Sequence, residues 1–190
     1  MSSVSLNASV NPFRRVMPGV RCFPLMERKY YILWYRLDSS DSYLIWYSDE
    51  KDGVFVDESG TVPSFRDANS LVKYAESRGI SVDVEEPNLL DLDVLGKWLK
   101  EKDVELIDSN SFNGAWNLFA DVSLSTNGGF DSNQELTQKI YNKLFWGCNL
   151  PSVTPEGEQY HPAWTKGELK IMHEVLSSGL QMFRRRIRKV

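Results

Sequence analysis

The side chains that could do chemistry in this sequence are few: two histidines, two cysteines and several closely spaced acids. His161 and His173, with Glu158 and Cys148, are residue types that bind zinc, but their spacing matches no established zinc pattern. No GxSxG, GxxxxGK or GxGxxG motif occurs, so neither a nucleophilic serine nor a phosphate-binding loop is indicated. The residues therefore predict no catalytic group, no cofactor and no metal.

Two groups of residues keep an enzyme open as an alternative. Asp91 and Asp93 could form a carboxylate pair for acid–base chemistry, although acids at the start of a helix also complement its dipole. The proline-rich loop 149–163 is long for a compact domain, and long loops are often functional. If the protein is an enzyme, we expect its site around this loop, which carries Glu156, Glu158, Tyr160 and His161.

Acidic side chains are the most informative feature of the sequence. Residues 38–67 carry eight acids against Lys51 and Arg66, and residues 83–93 carry five acids and no base. This charge repels nucleic acid and anionic membranes, and it steers cationic proteins towards the surface. These acids are either an ordinary solvated surface or a docking face for a basic protein, with an aromatic anchor that is Trp46, Tyr43 or Tyr47. The partner-binding residues are then Asp49, Glu50, Asp52, Asp57, Glu58, Glu85, Glu86, Asp91, Asp93 and Trp46.

The two ends of the chain are basic. Residues 1–29 carry +4 and residues 184–190 carry +5, so residues 30–183 carry −13 within a total of −4. The tail from Arg184 to Lys189 is typical of a solvated, cationic helix end that complements the helix dipole. Binding of this tail to phosphate or RNA is the alternative.

The elements that must position these residues are strands first and helices later. Aromatic and β-branched segments at 30–37, 43–47 and 54–56 predict an antiparallel β-meander. Helical spacing and caps at Ser64, Asp108 or Ser109, Ser132 and Thr165 predict helices over 66–78, 89–100, 109–124, 132–147 and 165–183. Short strands are expected at 80–84 and 104–107. The fold class is therefore α+β, an N-terminal antiparallel β-meander followed by a mostly helical C-terminal half.

Composition and targeting signals indicate a cytoplasmic protein. No apolar run approaches the roughly 20 residues that cross a bilayer, and the N-terminus lacks the apolar stretch of a secretory signal. Cys22 and Cys148 are far apart in the sequence and are expected to be unlinked, reduced thiols. Residues 1–25 are expected to be a flexible leader or extension, and residues 26–190 a single domain.

Two stretches resemble bacterial immunity proteins of polymorphic or contact-dependent growth-inhibition toxin systems. The first runs from Pro63 to Trp98 and contains a Gly-Ile-Ser-Val turn followed by Glu-Glu-Pro. The second comprises residues 112–121 together with 143–158. The resemblance implies a cytosolic protein without catalytic activity that binds one cognate toxin domain and blocks its active site or substrate path.

Many toxins of this kind are nucleases with cationic substrate-binding surfaces, so the resemblance implies a basic partner. The acidic charge of residues 30–183 agrees with that implication. Two alternatives stay open. One is a small enzyme with a site around the 149–163 loop, and the other is a regulatory or oligomeric subunit that uses the edge of the meander for strand addition.

Overall fold

A computed structural model of the chain describes residues 28–130 and 135–190. The expected leader, residues 1–25, lies outside this range. The described strands and helices follow one another as β1 (Lys29–Leu37), β2 (Ser40–Ser48), β3 (Gly53–Val54), β4 (Val62–Ser64), α1 (Ala68–Ser77), β5 (Val82–Asp83), β6 (Leu89–Asp91), α2 (Leu92–Glu101), a 3-10 turn (Val104–Leu106), α3 (Ser109–Thr126), α4 (Glu135–Gly147), α5 (Lys166–Arg186) and β7 (Ile187–Lys189). The α+β class and the single domain are confirmed.

The main sheet is built on the hairpin of β1 and β2. Its two strands pair antiparallel from Lys29 opposite Ser48 to Leu37 opposite Ser40. Asp38 and Ser39 form the turn, with φ of 55° and 57°. Left-handed φ at both central residues is what a two-residue hairpin needs, and aspartate tolerates it better than most residues.

The meander is confirmed, but the sheet around it is mixed. β3 continues the antiparallel order beside β2. The chain then returns on the other side, where β5 and β6 each pair parallel with β1. The parallel pairs arise because the chain between β2 and β5 carries α1 across to the free edge of β1 and reverses the strand direction.

The sheet separates two apolar layers, because successive side chains of a strand point to opposite faces. Tyr35 and Leu44 lie on one face and pack with buried residues of α2, α3 and α5. Ile32 and Ile45 lie on the other face and pack against α1 through Leu71. In the larger layer, α3 contacts both α4 and α5 and lies against the sheet.

Helix ends follow side-chain caps that the sequence shows only in part. Asp108 caps α3 through the N–H of Ser111, and Thr165 opens α5 in a capping box, as predicted. The predicted cap Ser64 is wrong, since Ser64 lies in β4 and Asp67 caps α1 instead.

Other boundaries moved because tertiary pairing competes with helix and strand propensity. Residues 89–91 join the sheet as β6, so α2 begins at Leu92. The strand predicted at 104–107 is a 3-10 turn closed by Asp103, whose side chain accepts from the N–H of Glu105. The predicted cap Ser132 lies outside the described residues, and α4 ends at Gly147 as expected.

The basic tail is a cationic helix end, as predicted, only as far as Arg186. α5 continues to Arg186, and β7 then pairs parallel with β4. Arg184 donates to both carboxylate oxygens of Asp38, and Arg188 Nη2 lies 2.6 Å from Asp57 Oδ2. Arg184 and Arg188 thereby form ion pairs within the domain, although both side chains stay partly exposed. Within residues 28–130 and 135–190, no helix is both long enough and apolar enough to span a bilayer.

Candidate partner-binding surface

The register of β1 sorts the predicted acids into two groups at opposite ends of the sheet. At the hairpin turn, Asp91 stands opposite Arg36, and Asp93 follows at the start of α2. At the other end, Ser48 pairs with Lys29, so the acids of the β2–β3 turn lie beside the start of β1. β5 also reaches this end, since Val82 pairs with Tyr30. Glu85 and Glu86 follow β5, in the segment that runs along the edge of β1 towards β6. We call the acids of the β2–β3 turn and of this segment, namely Asp49, Glu50, Asp52, Asp83, Glu85 and Glu86, the acidic end.

At the hairpin turn, the acids form hydrogen bonds and an ion pair within the protein. Asp93 accepts the backbone N–H groups of Asp38 and Ser39, both at 2.7 Å. Asp91 caps α2 through the N–H of Asp93 at 2.9 Å and lies 3.7 Å from Arg36. Because these carboxylates already have partners, Asp91 and Asp93 are less available to another protein than their sequence pattern indicates.

Asp57 and Glu58 are neighbours in sequence but differ in their surroundings. The Asp57 side chain is 6% exposed, and Oδ1 accepts hydrogen bonds from Ser59 and Thr61. Burial raises the pKa of Asp57, but the hydrogen bonds of Ser59 and Arg188 outweigh it and hold the pKa well below its usual value. The Glu58 side chain is 95% exposed and lies 3.6 Å from Arg78. Only Glu58 is presented at the surface.

Trp46, the predicted aromatic anchor, is half-buried and already makes a hydrogen bond. Its Nε1 donates to Asp121 Oδ2 at 2.8 Å, and its ring is tilted against Tyr31 with centroids 5.6 Å apart. Burial raises the pKa of the Asp121 carboxyl, and the Trp46 hydrogen bond opposes that effect. Asp121 was not among the predicted residues. Its only signal in the sequence is that it is an acid within the apolar stretch of α3.

The acidic end combines exposed acids with paired aromatic rings. Glu50, Glu85 and Glu86 are exposed, and none forms an ion pair within the described part of the chain. Asp49 bonds to Arg28 at 3.0 Å, and Asp52 accepts from Ser48. The backbone N–H of Glu50, followed by Arg28, lowers the pKa of Asp49.

The rings at this end lie on both faces of the sheet. Tyr30 and Tyr47 meet edge to face at 6.1 Å on one face, and Tyr31 and Trp46 meet on the other. β2 and β5 lie about 10 Å apart across β1, so one partner surface can reach the β2–β3 turn and the start of the segment that follows β5. An acidic rim around half-buried aromatic rings can dock a basic protein surface.

The 149–163 loop is closed by one side chain. Asn149 accepts the N–H of Tyr160 at 2.7 Å and donates to the Tyr160 carbonyl at 3.1 Å. A shallow cleft of about 260 Å³ beside the loop is lined partly by Trp146, Glu158 and Tyr160. Glu156 and His161 do not line it, so the four residues suggested for an enzyme do not converge there. Across the described residues, no group of three or more His, Cys, Asp or Glu side chains could hold a metal ion.

We expect Asn149→Gly to loosen this loop with little effect on the fold. Asn149 has φ of 48°, which glycine adopts freely, so the change removes only the side-chain hydrogen bonds. The expected result is several-fold faster limited proteolysis within residues 150–160 and a loss of about 1 kcal/mol of stability. Asn127→Gly is the matched control, because Asn127 also has a left-handed φ, of 51°. Asn142→Gly would not serve, because Asn142 lies inside α4. Equal cleavage rates for the two variants would contradict the role of Asn149.

Comparisons with known proteins leave the chain without an assigned family. No protein-family model matches it, and no curated protein matches it significantly. Among solved structures, the C-terminal domain of SatS in complex with bromine matches with a TM-score of 0.49 and 12% sequence identity, covering 85% of this chain and 94% of that one. A likeness this distant carries no information on partners or activity.

Proposed function

We propose that this protein is a cytoplasmic immunity protein that binds a basic toxin domain, nuclease-like in its substrate surface, and neutralises it. The observation that supports the proposal is the acidic end, where Glu50, Glu85 and Glu86 are exposed without ion-pair partners among the described residues. The resemblance of residues 63–98 to immunity proteins supports the same partner class. Binding requires no cofactor.

We assign to the interface only those predicted acids that are not engaged in holding the fold. Asp49, Glu50, Asp52, Glu85 and Glu86 form the acidic rim, and Trp46 contributes the exposed part of its ring. Asp57, Asp91 and Asp93 serve the fold through the hydrogen bonds described above, and Glu58 lies outside the acidic end. A partner with complementary charge gains mostly in association rate from such a rim, because exposed charges steer the encounter more than they stabilise the complex.

Reversing charge at the acidic end is expected to slow association with the partner. The partner is first captured with the tagged protein at low salt, released at high salt and identified by mass spectrometry. The double variant Glu50→Lys/Glu85→Lys should then associate about tenfold more slowly in stopped-flow or surface-binding measurements, with a flatter salt dependence. The physical reason is that two attractive charges become repulsive at the docking surface.

A matched control carries the same change in net charge elsewhere. Glu76 at the end of α1 and Glu101 at the end of α2 are exposed, and neither forms an ion pair within the described residues. Glu76→Lys/Glu101→Lys should change the association rate much less. If both double variants slow binding equally, only net charge matters and the acidic end is not the interface. Recovery of the protein alone, with its gene neighbours expressed, would count against an immunity role.

A further inference from the structure

A groove lies between α2 and α5, in the larger of the two apolar layers. The groove measures about 400 Å³ and runs between the last turn of α2 and the first two turns of α5. Leu169 supplies apolar surface that a ligand can reach, and the buried Trp98 ring lines the groove from the core side. Trp98 is 1% exposed and is held by Phe112 at 5.2 Å and His173 at 5.8 Å, measured between ring centroids. Grooves of this size and apolar character are typical of small-molecule sites.

Three lysines from two helices surround this apolar surface. Lys102 ends α2, whereas Lys166 and Lys170 lie in the first turns of α5. All three are exposed, and none forms an ion pair within the described residues. Glu174 is the one acid that lines the groove, so its rim carries a net positive charge. The positive end of the α5 dipole adds to this field.

Two further polar groups belong to the groove residues. His173 Nε2 lies 3.0 Å from the carbonyl oxygen of Leu99, and a carbonyl can only accept, so Nε2 carries a proton. The buried indole Nε1–H of Trp98 has no hydrogen-bond partner within the described residues.

We propose that this groove binds a small amphipathic anion, an organic carboxylate with a flat apolar body. The apolar body lies against Leu169 and the aliphatic stems of the lysines, over the buried Trp98 ring, and the carboxylate is held by Lys166 and Lys170. Lysine ammonium groups around one groove repel each other, and an anionic ligand relieves that repulsion. The inference is independent of the immunity role, because it uses a different surface and a different class of ligand.

The test uses 2-naphthoate as the probe and the full chain labelled with nitrogen-15. The Trp98 indole N–H signal is assigned with a Trp98→Phe variant and followed during titration. We expect a saturable shift of this signal with 2-naphthoate, and about tenfold weaker binding of the neutral analogue 2-naphthylmethanol. Lys166→Gln/Lys170→Gln should raise the Kd for 2-naphthoate about tenfold, because it removes the charges that hold the carboxylate.

Lys51→Gln/Lys73→Gln is the matched control, because both lysines are exposed, neither forms an ion pair within the described residues, and neither lines the groove. Leu169→Trp tests the site without a change in charge, because a larger side chain should fill the groove and abolish the shift. The absence of a saturable Trp98 shift would overturn the site. Equal affinity for the acid and the alcohol, or equal effects of the two lysine pairs, would overturn the assignment of an anionic ligand.

Discussion

Replacing Gly179 with alanine is expected to destabilise the protein by about 2–3 kcal/mol, although alanine is the better helix former. Gly179 lies within α5 where this helix packs against α3. A Cβ atom there would lie 2.4 Å from Cδ2 of Phe119 and 2.9 Å from Cε2 of Phe130. Phe119 is fully buried and packs against Phe183 and Phe130, so its ring cannot move without disturbing other rings. The overlap therefore outweighs the gain in helix propensity.

Gly96→Ala provides the matched comparison, since Gly96 also lies inside a helix. A Cβ atom at this position meets no other atom within 4 Å. Helix propensity then acts alone, and we expect a gain of about 0.5–1 kcal/mol. Urea denaturation followed by circular dichroism measures both variants against the wild type. Changes of the same sign for the two glycines would contradict the close packing of α3 against α5.

Replacing Asp57 with asparagine is expected to lower the free energy of unfolding by about 2–3 kcal/mol at neutral pH. The carboxylate organises the loop between β3 and β4 by accepting from Ser59 and Thr61. It also fastens the end of the chain, because Arg188 donates to its second oxygen. An amide keeps the shape but loses the charge and one acceptor, so several charge-assisted hydrogen bonds weaken together.

The same substitution makes a prediction about pH. The folded state holds the pKa of Asp57 below its usual value, so the ionised carboxylate stabilises the fold. This stabilisation is complete above the unfolded pKa of about 4 and is lost as the pH falls through that value towards the lower folded pKa. The difference in stability between wild type and Asp57→Asn should therefore shrink in acid. If the difference in stability between wild type and Asp57→Asn is the same at neutral and strongly acidic pH, the stabilising role of the ionised carboxylate is contradicted.

The single variant Arg188→Gln separates the two roles of Asp57. Arg188→Gln alone should remove the bond to β7 and leave the loop bonds of Ser59 and Thr61 in place. We expect a smaller loss than for Asp57→Asn, because the Arg188 side chain is 46% exposed and its ion pair is partly screened. If the two single variants lose the same stability, the loop bonds contribute little and the role of Asp57 reduces to holding the tail.

Local signals in the sequence were sufficient where neighbours in the chain decide the structure. The aromatic and β-branched residues of 30–37 and 43–47 predicted the two strands of the hairpin, since strand propensity depends on residues close together in the chain. Asp108 and Thr165 were predicted as caps for the same reason. Where distant strands compete, local signals failed: residues 89–91 entered the sheet rather than α2, and Ser64 joined β4 rather than capping α1.

For the acids of the candidate surface, too, the sequence decides some properties and the tertiary structure decides others. Their number and the charge of the middle of the chain are properties of the sequence alone, and they favour a cationic partner. Which acids remain available depends on where arginines and backbone N–H groups lie in space. Asp93 is engaged by a turn 54–55 residues away, and Asp38 by Arg184, 146 residues away. No spacing rule connects residues so far apart in the chain.

The sequence by itself determined the α+β class, the hairpin and the acidic character of residues 30–183, because periodicity, turn chemistry and charge are local or additive properties. The tertiary structure alone decided that the basic tail closes back on Asp38 and Asp57, and that Trp46 is bound to Asp121. It also brought three lysines around Trp98 from two helices. Each of these arrangements depends on how strands and helices pack, and packing is a property of the whole chain rather than of any segment.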